Sequence, residues 1–316
     1  MQHKIERFKI RTLFFGSGSF ALVILKALLK ADFLDVIGVI TQPDKPFGRK
    51  RKIKHTLVKG YLNSLRFSGK IFQPENITAA AAEILKKINP ELIIVADYGQ
   101  ILPASIIRYP KYKCLNIHGS LLPDLRGAVP IPVAILKGYQ ETGISIPVMT
   151  EELDNGPLVA SKKIAIMTDD TAVTLKSRLA DLGASLLLEI LQDWISGKIK
   201  PVAQDESKAT YADKNDFSKE NAKITPDTRA DIAERMVRAY NPWPVAWTEV
   251  EFKGKMQRLK IFQAELSQET MPGPGKIYKK NNGLYLSLKN GSLQLIDLQL
   301  EGKKRGKSGD YWFLAN

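Results

Sequence analysis

The 316-residue chain is 44% hydrophobic, enough to bury a core in each of two domains. A single cysteine, Cys114, excludes an internal disulfide or thiolate cluster; His3, His55 and His118 are too few for a histidine-rich metal site; no apolar run reaches the roughly eighteen residues of a membrane span. A soluble, cytoplasmic protein without a resident metal is expected, and the formal charge of +14 points to an anionic partner such as nucleic acid or a membrane surface.

Arg11-Thr-Leu-Phe-Phe-Gly16 reads as a buried strand, Phe20 to Lys30 has apolar residues at helical spacing, and Val36 to Thr41 is a second apolar run. Between the first two, Gly16-Ser-Gly-Ser-Phe-Ala21 imitates a dinucleotide fingerprint. The third small position is Ala21 and no acid ends the second strand, so a plain strand-to-helix turn stands beside the nucleotide reading.

Asp44-Lys-Pro-Phe-Gly-Arg-Lys-Arg-Lys-Ile-Lys54 sets six basic residues against one acidic. Such runs are usually solvated surface. This one follows the second strand, at the carboxyl edge where an α/β sheet binds ligands, and reads as a phosphate-gripping loop.

A short strand near Ile71, a helix through Ala79 to Ile88 and the strand Leu92-Ile-Ile-Val-Ala96 continue the alternation. The pattern predicts a doubly wound, mostly parallel α/β sheet with helices on both faces.

Asn116-Ile-His-Gly-Ser-Leu-Leu-Pro123 carries the chemistry. Strand alternation puts Asn116 and His118 on one face with Ile117 opposite, and Gly119 with Pro123 shapes the exit loop. An amide can hydrogen-bond an oxyanion while an imidazole moves protons near neutral pH, which suits acyl transfer. A lone histidine more often satisfies a core hydrogen bond, but the asparagine two residues away reverses that preference. Leu153-Asp-Asn-Gly-Pro157 adds Asp154 in a turn; alone it is a turn residue, and beside His118 it would orient the imidazole and stabilise its cation. No Gly-x-Ser-x-Gly elbow is present, so direct amine attack fits better than a covalent intermediate.

Thr171 to Trp194 reads as a long amphipathic helix closing a first domain, residues 1–200; the polar stretch 201–216 reads as a linker. In 217–316 a helix near Asp227 to Tyr240 precedes short alternating runs at 247–252, 258–262, 283–288 and 293–298, which suggest a small β barrel. The basic tail Glu301 to Lys307 is expected to be mobile.

Together these segments resemble the methionyl-tRNA formyltransferase family. Asn116 to Pro123 with Arg126-Gly-Ala128 and Pro130 resembles its formyl-transfer signature, and Glu141-Thr-Gly143 with Leu153-Asp-Asn-Gly156 the signature's second half. Thr41 to Pro46, Ala96 to Pro103 and Tyr240 to Trp247 extend the match, while Gly16-Ser-Gly-Ser-Phe20, Pro132 and Asn155 depart from the usual pattern.

The resemblance implies a formyltransferase-like catalytic domain followed by an OB-like barrel that binds tRNA. It implies transfer of formyl from 10-formyltetrahydrofolate to the amino group of methionyl initiator tRNA, with Asn116, His118 and Asp154 catalytic. Folate would lie against Tyr98, Gly99, Gln100, Ile101 and Leu102 and against Ser120, Leu121, Leu122 and Pro123, and the tRNA acceptor end against Arg49, Lys50, Arg51 and Lys52. A monomer that uses neither metal nor membrane is implied.

The catalytic triple is shared with sugar N-formyltransferases, so a sugar-nucleotide or other small-amine acceptor is the nearest alternative. A nucleotide-dependent oxidoreductase would rest on Gly16-Ser-Gly18 alone, and a non-catalytic RNA-binding protein on charge alone.

Overall fold

The computed structural model describes residues 9–47, 52–267, 269 and 271–315. By its contacts the chain divides into two compact units. The first comprises residues through Ala128, Glu141–Ile164 and Lys176–Tyr211; the second comprises Val129–Gln140, Ala165–Leu175 and the chain from Ala212 onward.

The first unit is built on a five-stranded sheet in the order Lys70–Phe72, Leu34–Ile40, Ile10–Gly16, Leu92–Ala96, Cys114–Asn116, every neighbouring pair parallel. Leu13, Phe14 and Phe15 are buried in succession, as are Leu92 to Ala96, because both faces of the sheet are covered. Leu13, Phe15, Ile93 and Val95 pack with Ile77, Ala81, Ile84, Leu85 and Ile88 of the helix Ile77–Ile88. On other contacts of the same strands lies the helix Ser19–Leu28, which also meets the helix Leu57–Ser64. Side-chain caps start two of these helices: Thr56 Oγ1 accepts from Lys59 N at 3.1 Å and Asn76 Oδ1 from Ala79 N at 3.2 Å. The expected doubly wound domain is present.

At the first strand-to-helix turn a Cβ on Gly16 would lie 2.6 Å from Ala21 Cβ and 2.7 Å from the Ala96 carbonyl. The glycine is thus needed for close packing. Beside it the Asp97 carboxylate, ion-paired to Lys176 at 2.7 Å, sits against Gly18, on ground a pyrophosphate would need free. Of the two readings of this glycine turn, the plain one fits.

The second unit is an antiparallel sheet in the order Trp247–Phe252, Lys255–Ser267, Gly291–Leu300, Gly283–Leu288, Ile277–Lys280, with Gly306–Lys307 joined to Gly291–Leu300. Leu259, Ile261, Leu284, Leu286, Leu293 and Leu298 alternate inward to form its core with Ala233 and Val237 of the helix Ala230–Ala239. Leu136 of the helix Pro130–Leu136 packs against that core, and Val129 N bonds Ala212 O at 3.3 Å. The second unit therefore draws segments from inside the stretch expected as the first domain.

The basic tail departs from expectation. It is held by the ladder pairs Asp297↔Lys307 and Leu298↔Gly306 and by a forked pair from Arg305 Nε and Nη2 to Asp297 at 2.8 and 2.9 Å. A carboxylate on the neighbouring strand supplied the order that charge counting could not foresee. Among the described residues, no helix is long and apolar enough to cross a membrane.

Candidate active site

The strand Cys114–Asn116 delivers Asn116 at the carboxyl end of the sheet, where Val95 is its partner. The chain stays extended for two more residues, and His118 exchanges both backbone bonds with Ser145 of the strand Glu141–Pro147, at 2.9 and 3.1 Å. Ile117 is buried, while Asn116 and His118 reach one common carboxylate, so the predicted alternation is what the backbone adopts.

That carboxylate is Asp154. Its backbone has φ +51°, in the left-handed region, and its turn is tight: a Cβ on Gly156 would overlap the Val148 carbonyl. Asp154 Oδ1 accepts from Asn116 Nδ2 at 3.2 Å, and Oδ2 accepts from the Gly127 amide at 2.8 Å. His118 Nδ1 stands 3.6 Å from Oδ2, an ion-pair distance longer than a hydrogen bond. His118 Nε2 lies 3.0 Å from the Leu125 carbonyl, which can only accept, so Nε2 carries a proton and Nδ1 is the nitrogen left for exchange. One N–H of Asn116 Nδ2 goes to Asp154, leaving the second for another acceptor.

The exit loop is pinned from below by Ser145, whose Oγ accepts from Leu122 N at 2.9 Å and donates to Ser120 O at 2.8 Å. Ser120 and Leu122 are buried, and Leu121 and Pro123 half-buried. Near the other predicted folate segment, Ile101 is 84% exposed and Gly99 takes φ +90°. Tyr98 and Leu102 point inward: the Tyr98 ring meets Phe15 edge-on at 5.1 Å, its hydroxyl has no hydrogen-bond partner among the described residues, and burial pushes the phenol up to about 12. Gln100 Oε1 accepts from Ile77 N at 3.0 Å and so caps the neighbouring helix.

The basic run forms a hairpin, Lys45–Phe47 against Lys52–Lys54. Arg49, Lys50 and Arg51 lie outside the described residues, and Lys52 is placed by its backbone alone, opposite Phe47. At the hairpin's root, Asp44 accepts from Gln73 Nε2 at 2.7 Å and Lys59 Nζ at 2.7 Å and contacts His55 Nδ1 at 2.7 Å. The Gln73 amide, then Lys59 and His55, hold its carboxyl down to about 2. Gln73 Nε2 also donates to Gln42 O at 2.8 Å, and Gln42 Nε2 to Tyr98 O at 2.9 Å, so a chain of bonds runs from the hairpin to the segment at Tyr98.

Sequence reasoning missed the residues that hold this centre: Ser145, the Gly127 amide and Gln204. Gln204 lies in the polar stretch expected as a linker, which has no periodicity to mark it. Arg126, noted only within a motif, is almost fully buried and bonds Gln204, Glu206 and Asn155. The pair with Glu206 raises the guanidinium further and lowers the carboxylate. Among the described residues, no group of three or more His, Cys, Asp or Glu side chains is placed to hold a metal ion.

The chain matches the formyl transferase family over residues 8–191 and the formyl transferase C-terminal domain over residues 216–313. It is 41% identical over 303 residues to a methionyl-tRNA formyltransferase of Dictyoglomus turgidum, covering 94% of this chain and 93% of that protein. It is 37% identical over 305 residues to the methionyl-tRNA formyltransferase of Methylacidiphilum infernorum, covering 96% and 94%. Among solved structures it resembles an N-formyltransferase of Helicobacter canadensis in complex with folinic acid and dTDP-3-aminofucose (TM-score 0.67, 20% identity, 90% of this chain, 98% of that one). HypX of Aquifex aeolicus in complex with tetrahydrofolic acid is also similar (TM-score 0.65, 17% identity, 96% of this chain, 46% of that one). At such identities these two speak for the fold alone.

Proposed function

The chain belongs to the methionyl-tRNA formyltransferase family, and from that premise we propose that Asn116, His118 and Asp154 carry its reaction. The protein transfers the formyl group of 10-formyltetrahydrofolate to the amino group of methionyl initiator tRNA. The observation that carries the residue assignment is the single carboxylate of Asp154 facing both the Asn116 amide and the His118 imidazole.

As the methionyl amine attacks the formyl carbon, a C–N bond forms and the carbonyl π pair moves to oxygen. The second N–H of Asn116 Nδ2 donates to that oxyanion. His118 Nδ1 takes the proton shed by the attacking nitrogen and returns it to the folate nitrogen as the old C–N bond breaks, so proton and formyl exchange places. Asp154 stabilises the transient imidazolium. The family supplies the folate, and the exposed Ile101 suits the apolar face of that ligand at the segment around Tyr98.

The tRNA-gripping role of Arg49, Lys50, Arg51 and Lys52, the folate contacts of residues 98–102 and 120–123, and the tRNA-binding role of the C-terminal portion 217–316 belong to the same proposal, as does a monomer acting in the cytoplasm. The test supplies 10-formyltetrahydrofolate with either charged initiator tRNA or amino sugars. Formyl-methionyl-tRNA as the favoured product supports the reading. Preferential formylation of the sugar would replace it with the sugar acceptor.

A further inference from the structure

We infer that Gln204 is a positioning residue for the formyl-transfer centre, holding the Asp154 turn so that its carboxylate faces Asn116 and His118. The inference rests on the proposed catalytic role of Asp154.

Asp154 gains from outside support, because a non-glycine residue in the left-handed region is held there by its surroundings. Gln204 Nε2 supplies it by donating to the Asp154 carbonyl at 2.8 Å and to the Gly156 carbonyl at 2.7 Å, tying together both sides of the turn. Its orientation is fixed. Gln204 Oε1 accepts from Arg126 Nη2 at 2.8 Å and Nε at 3.2 Å, and a guanidinium can only donate, so the amide nitrogen must face the two carbonyls.

Arg126 is fixed in turn. It is 2% exposed, forks to Glu206 through Nη1 at 2.9 Å and Nη2 at 2.7 Å, and donates to Asn155 Oδ1 at 3.1 Å. A buried, fully engaged guanidinium is a rigid anchor. The next residue, Gly127, donates its amide to Asp154 Oδ2. Arg126 and Gln204 thus brace the same turn, one through its neighbour's amide to the carboxylate and the other to the backbone.

The experiment uses the full-length enzyme. Gln204→Glu preserves shape and the bonds to Arg126 but presents an acceptor to two carbonyls; Gln204→Ala removes the brace. Both should lower kcat about ten- to a hundredfold while the KM values for tRNA and folate move less than about twofold, since displacing a catalytic group by an ångström costs rate. Combined with Asp154→Asn, either should add less than about twofold to the loss from Asp154→Asn alone, because groups acting as a unit are not additive. A wild-type kcat in both Gln204 variants overturns the inference. So do losses that multiply with that of Asp154→Asn, which would mark a general structural effect. If Asp154→Asn alone retains wild-type kcat, the catalytic reading of Asp154 fails, and this inference with it.

Discussion

Asp154 divides its carboxylate between two residues of one strand end, with Oδ1 at 3.2 Å from Asn116 Nδ2 and Oδ2 at 3.6 Å from His118 Nδ1. Each contact orients a group that faces the reacting carbon in the proposed reaction. His118→Ala, Asn116→Ala and Asp154→Asn are therefore expected to fold and to lose about a hundredfold or more in kcat. Steady-state formylation, with circular dichroism as the control for folding, measures this; a variant within a few-fold of wild type would remove that residue from the centre.

The loop between Phe47 and Lys52 should grip phosphate. Neutralising Arg49, Lys50, Arg51 and Lys52 together should raise the KM for tRNA far more than that for folate. Each lost phosphate contact should also lower the slope of log affinity against log salt by roughly 0.7–0.9. Titrations at several salt concentrations read both effects, and an unchanged slope would leave the loop as solvated surface.

Asp44 should make acid stability depend on the hairpin root. Its carboxyl is depressed to about 2 from the ordinary value of 3.8, so the unfolded chain binds the proton first. The resulting stabilisation, about 1 kcal/mol after solvent screening, is present above that ordinary value and is lost as pH falls towards 2. Melting wild type and Asp44→Asn from pH 6 down to pH 2 should show a gap that closes on the acid side. A gap independent of pH would contradict the assignment.

Gly16→Ala should be costly although the change is one methyl group. The new Cβ meets Ala21 and the Ala96 carbonyl at 2.6 and 2.7 Å, so helix and strand must separate. A loss of about 1–3 kcal/mol is expected, read as a lower melting temperature in thermal denaturation, with the preference between tRNA and sugar acceptors unaltered. An unchanged melting temperature would mean that the turn has slack.

The parallel sheet was legible because Leu13, Phe14, Phe15 and Leu92 to Ala96 form unbroken apolar runs, which only strands buried on both faces support. The meeting of Asn116 and His118 at one carboxylate was legible because period two carries both to one side. Long-range pairing was not. The strand Ile277–Lys280 has only Ile277 buried, so it shows no alternation to read, and the tail at Gly306–Lys307 is ordered by Asp297, which no local pattern reveals. Gln204 escaped for a related reason: its partners are backbone carbonyls some fifty residues away, and the carbonyl is the one group every residue shares.

The root of the basic hairpin bears on any attempt to move the basic run between scaffolds. Asp44 is moored by Gln73, Lys59 and His55, and Gln73 in turn reaches Gln42, whose side chain holds the Tyr98 carbonyl. Transplanting residues 45–54 would carry the positive charge into a new host but leave Asp44, Lys59 and Gln73 behind. A recipient lacking those three would receive the strands Lys45–Phe47 and Lys52–Lys54 without their mooring, so a graft has to bring Asp44, Lys59 and Gln73 along with the hairpin.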